Sequence, residues 1–66
     1  MGRRRRQVYH AKLIALWDHW VVEVPEAGGV HSMVLNVADA EAVARAAIAT
    51  VLDVDAESFT VIVQPS

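Results

Sequence analysis

The chain has 66 residues, a formal net charge of −2, 55% hydrophobic residues and no cysteine. That length allows one domain with a thin core and excludes a disulfide framework or a thiolate metal site. Extra stability is expected from oligomerisation or a partner, and a cysteine-free chain agrees with a reducing cytoplasm, where this one is expected.

Residues 1–7 read as a solvated basic arm. Arg3, Arg4, Arg5 and Arg6 hold four of the six basic charges, and every acidic residue lies from Asp18 onward. With two basic residues against eight acidic ones, residues 7–66 carry −6. An acidic body favours basic protein partners and disfavours a nucleic-acid backbone. The four arginines are therefore the one candidate for nucleic-acid contact. The start superficially resembles the basic and apolar regions of a signal peptide. His10, Lys12, Asp18 and His19 interrupt it, no small-residue cleavage site follows, and a signal peptide is not expected. No apolar run approaches membrane-spanning length.

Residues 8–17 are predicted as the first strand. Tyr9, Ala11, Leu13, Ala15 and Trp17 are free of charge and should face inward, opposite Val8, His10, Lys12, Ile14 and Leu16. Asp18-His19 suits a tight hairpin turn. In the second strand, 20–24, Trp20, Val22 and Val24 face in, and Pro25 ends it. After a turn at 26–29, residues 30–35 form a third strand with Val30, Ser32 and Val34 inside and His31, Met33 and Leu35 outside.

Residues 36–52 form the one predicted helix. At 100° per residue, Val43, Ala44, Ala47, Ile48, Val51 and Leu52 fill a core-facing arc, with Ala42, Arg45, Ala46 and Ala49 opposite. Glu41 and Arg45 form an i,i+4 pair, and Asn36 or Asp39 can cap the start. After an acidic loop at 53–57, residues 58–63 form the last strand, with Phe59, Val61 and Val63 inside and Thr60, Ile62 and Gln64 outside. The order βββαβ predicts an α+β domain over residues 8–66, with a mixed four-stranded sheet in the order 3-2-1-4 and one helix on one face.

Several of these residues follow a known pattern. Tyr9, then Trp20-Val21-Val22-Glu23-Val24-Pro25-Glu26 running into Gly28-Gly29-Val30-His31-Ser32, then Asp39-Ala40-Glu41-Ala42 and Arg45-Ala46-Ala47-Ile48, resemble the HicB-like antitoxins. The closing Asp53-Val54-Asp55-Ala56-Glu57-Ser58-Phe59 is similar to small actinobacterial members. The resemblance spans residues 8–64. It implies a partial RNase H-like fold without nuclease function, which covers the active site of a small basic mRNA-cleaving toxin, HicA. Many members also carry a C-terminal ribbon-helix-helix or helix-turn-helix domain. These 66 residues hold none, so operator binding of that kind is not expected.

Catalytic chemistry is not expected either. An RNase H-like nuclease needs carboxylates converging on metal ions. Here the acids fall in a turn, on an outward strand position, at the helix start and in a loop. His10, His19 and His31 lack close metal-ligand spacing, and no phosphate-binding glycine loop is present. No cofactor is called for. The leading expectation is a non-catalytic antitoxin-like protein. A small nucleic-acid-associated regulator using the arginine arm and a self-assembling structural module are the alternatives.

The outward positions carry a further expectation. Ile14, Leu16, Val21, Met33, Leu35 and Ile62 should share the sheet face opposite the helix, where a half-exposed sheet would carry polar residues. That face is expected to be the oligomer or partner interface. The contact there would be with a second copy of the chain or with a small basic toxin.

Overall fold

The chain folds as β1 (Gln7–Ala15), β2 (Trp20–Val24), β3 (Val30–Val34), α1 (Ala40–Leu52) and β4 (Phe59–Pro65), in a computed structural model that describes residues 7–65. The four strands make one mixed sheet in the order β3-β2-β1-β4, the α+β topology expected from the sequence. β1 pairs antiparallel with β2, and β2 with β3. β4 returns parallel to β1, from Gln7 opposite Phe59 to Leu13 opposite Pro65.

Alternation assigns the inner face correctly in β2, β3 and β4 and in β1 as far as Leu13; Ala15, expected inside, is exposed at the end of β1. Ala11 and Leu13, Val22 and Val24, Val34, and Phe59 and Val61 are buried against Ala40, Ala44 and Ile48 of α1. Phe59 closes the β1–β4 end of this core. Tyr9 meets it edge-on, with ring centroids 5.5 Å apart and planes at 88°. Four of the eleven core residues are alanine, so the sheet and helix approach closely but bury little apolar volume.

Three details depart from expectation. β1 ends at Ala15, and the hairpin is a four-residue loop closed by Leu16 N–H donating to His19 O at 2.9 Å. Trp17 lies in that loop and is 95% exposed, not on the inner face. Strand alternation stopped two residues before it.

The chain also reaches α1 through a 3-10 turn at Val37–Asp39, so the α-helix itself begins at Ala40. Asn36 supplies the cap, its Oδ1 accepting from Ala38 N–H at 3.0 Å, while the Asp39 side chain caps nothing.

The buried row of α1 is Ala40, Ala44 and Ile48. Val43 and Ala47 are only half-buried, and Val51 and Leu52 are exposed. Arg45 and Ala49, expected outside, are half-buried. The cause is Arg45. Its guanidinium donates to the carbonyls of Ala56 (2.6 Å) and Phe59 (2.9 Å) and to Glu41 (2.9 Å), which rolls that side of the helix toward β4.

The turn between β2 and β3 needs two consecutive left-handed residues, and Gly28 (φ 78°) and Gly29 (φ 79°) provide them. The 3-10 turn Pro25–Ala27 just before them places Glu26 beside β1.

Candidate functional site

Pairing register turns the outward residues of the sheet into rows. Ile14 lies opposite Val21, and Val21 opposite Met33. These three make an apolar row across β1, β2 and β3 on the face that α1 does not cover. Leu16 and Leu35 follow the ends of β1 and β3 at the same edge, beside the hairpin loop. Leu35 is 77% exposed and Met33 61%. Trp17 lies in the same loop.

The next outward row is polar throughout. Lys12 pairs with Glu23, Glu23 with His31, and Lys12 with Gln64. Ile62 lies beyond it, opposite His10. The structure therefore aligns Ile14, Val21 and Met33 in one row, sets Leu16 and Leu35 just past the ends of β1 and β3, and separates Ile62 from that row by a charged one. That is a correction to the single six-residue patch expected from alternation. Phase along each strand was readable, but register between strands decides which outward residues meet. At this end of the sheet the sequence reading misplaced Ala15 and Trp17, both expected inside and both exposed. A four-residue loop holding Asp18 and His19 was the available signal. Exposed tryptophan is a frequent anchor in protein interfaces.

Three of the described carboxylates form local ion pairs, Glu26 with His10, Asp18 with His19 and Glu41 with Arg45. Glu26 replaces a strand partner that β1 lacks once β2 has ended at Val24. Its Oε1 accepts from the His10 backbone N–H at 2.6 Å, and its Oε2 lies 3.0 Å from His10 Nδ1. The backbone hydrogen bond, then the side-chain one, hold the Glu26 carboxyl below its ordinary value of 4.5. His19 Nδ1 lies 2.6 Å from Asp18 Oδ1. His31 Nδ1 donates to Gly29 O at 2.8 Å. Among the described residues, no three histidine or acidic side chains form a group able to hold a metal ion. No helix among them is long and apolar enough to cross a membrane. Arg3, Arg4, Arg5 and Arg6 lie outside the described residues.

One further concavity exists on the other side of the sheet. It is an open groove of about 590 Å³ between β3 and α1, floored by Val30, His31 and Ser32.

Compared with known proteins, the chain matches no family model, no curated protein and no solved structure. Its resemblance to HicB-like antitoxins rests on the sequence pattern alone.

Proposed function

We propose that this protein is a non-catalytic interaction module that covers a partner protein with the open face of its sheet. The observation that carries this reading is the apolar row Ile14–Val21–Met33, flanked by exposed Leu16 and Leu35. Burying one exposed large aliphatic side chain is worth about 1.5–3 kcal/mol, so covering the exposed Met33, Leu16 and Leu35 beside half-buried Ile14 and Val21 is favourable. The polar row beside it, Lys12–Glu23–His31, gives the rim that such an interface needs.

The partner is a small basic RNA-cleaving protein, and the chain acts on it as an antitoxin by occlusion. The −6 charge over residues 7–66 supports this, because it steers a basic partner toward the module. The βββαβ plan is the one that the HicB-like sequence pattern implies. The chain works as a homo-oligomer, since so small a core gains from a second copy.

The test is co-expression with a small basic protein encoded beside this chain. Growth arrest caused by that protein alone, relieved by the wild-type chain and not by Met33→Glu, is the expected result. Equal relief by wild type and Met33→Glu removes the open face from the account. No relief and no complex removes the antitoxin reading.

A further inference from the structure

The groove between β3 and α1 has two walls of different kinds. One is β3 itself, an edge strand with no neighbour on its outer side. Its sequence, Val-His-Ser-Met-Val, has no lysine, no proline and no break in register, so it lacks the usual protections against edge pairing. The other wall is a stripe of α1 made by Val43, Ala46, Ala47, Thr50 and Val51. These stand at i, i+3, i+4, i+7 and i+8, the spacing of a helix face that packs against another element. The stripe lies roughly a quarter turn around the helix from the buried row Ala40, Ala44 and Ile48. So α1 has two packing faces and its own sheet uses one.

The groove carries no carboxylate, ammonium or guanidinium group. The Thr50 hydroxyl already donates to Ala46 O at 2.9 Å. A charged partner would find no counter-charge there. An isolated extended peptide would satisfy the strand wall and leave the helix stripe bare, and an isolated helix would do the reverse. A second copy of this chain satisfies both walls at once, because its own strand and stripe are held at the same spacing.

We propose that two copies join through this groove by antiparallel pairing of β3 with β3 about a two-fold axis at Ser32, normal to the sheet. Residue Ser32 is the midpoint of β3, and Ala47 the midpoint of the stripe. The axis sets Val30 against Val34 of the second copy on the helix side, and His31 against Met33 on the open side. Ser32 meets its own counterpart, a cross-strand pair that hydroxyls fill with a hydrogen bond. No like charges face each other across the strands. The two α1 helices then run antiparallel on one face, with Ala46 and Ala47 allowing close approach. The result is an eight-stranded sheet whose open face continues across both copies.

This inference rests on the reading of the chain as a homo-oligomer, and it names the surface. Light scattering after size exclusion at tens of micromolar should give twice the 7.2 kDa chain mass. Ala46→Glu and Val51→Glu put charge on exposed helical positions that tolerate glutamate, and each should halve the mass with the circular dichroism unchanged. Met33→Glu should leave the mass doubled, because it faces His31 across the axis. The chain has no cysteine, so Ser32→Cys should form an inter-chain disulfide on mild oxidation, as directly opposed Cα atoms about 4.5–5.5 Å apart allow. A dimer that survives both helix variants, or one dissolved by Met33→Glu alone, overturns the groove interface and leaves the homo-oligomer standing. A 7.2 kDa wild-type particle overturns both and leaves the open-face reading to its own test. Absence of the Ser32→Cys cross-link in a confirmed dimer overturns the register.

Discussion

Arg45 sits over the ring of Phe59, 5.4 Å from its centroid, and the same guanidinium donates to the Phe59 carbonyl at 2.9 Å. One side chain thus joins the middle of α1 to the first residue of β4 and, through Ala56, to the loop between them. Arg45→Ala should cost about 2–3 kcal/mol in chemical denaturation, since hydrogen bonds from a charged group are worth about 1.5–3 kcal/mol. Arg45→Lys should recover only part of this, because an ammonium cannot supply the planar fork. Full recovery by lysine would mean that charge alone matters at this site.

Glu26 makes folding sensitive to acid. Its folded carboxyl titrates below its ordinary value of 4.5, so below that value the unfolded chain binds the proton first. The contribution is fully present above pH 4.5 and is lost as pH falls through the lowered folded value. Glu26→Gln keeps an acceptor for His10 N–H and removes the titration. Stability measured from pH 6 downward should therefore fall less steeply in Glu26→Gln than in wild type; identical slopes would contradict the assignment.

Asp53 ends α1 with φ 55° and ψ 51°, the left-handed region, and its N–H donates to Ala49 O. Glycine adopts this conformation without a Cβ clash, and an acidic side chain at a helix C-terminus opposes the helix dipole. Asp53→Gly should raise stability by about 0.5–1 kcal/mol, read as a higher midpoint in urea. A lower midpoint would show that the Asp53 carboxylate makes a compensating contact.

The sequence carried the topology because β2, β4 and β1 as far as Leu13 alternate. Val22 and Val24 against Val21 and Glu23, or Phe59 and Val61 against Thr60 and Ile62, leave one choice of inner face. It carried less about α1, because alanine is compatible with either side of a helix. There Arg45 decided the rotation by reaching carbonyls 11 and 14 residues away, an interaction that no periodicity reports. The role of Glu26 was hidden for the same reason. Val-Pro-Glu reads as the end of a strand, yet the glutamate completes the pairing of a strand 16 residues earlier. Of the candidate surface, Ile14, Val21 and Met33 were legible as outward. Their union in one row, and the separation of Ile62, required the register.

The purified chain should cleave no RNA in the presence of magnesium or manganese, since no three of its described histidine or acidic side chains gather to hold a metal ion. Metal-dependent cleavage abolished by Asp18→Asn would contradict a non-catalytic module.

Titration calorimetry between the purified chain and any small basic protein found encoded beside it tests the central claim most directly. The open-face account predicts a saturable complex with wild type. It predicts an affinity at least tenfold weaker with Met33→Glu, about 1.4 kcal/mol or more. It also predicts binding by Ala46→Glu equal to wild type per chain. Wild-type affinity in Met33→Glu would contradict the account.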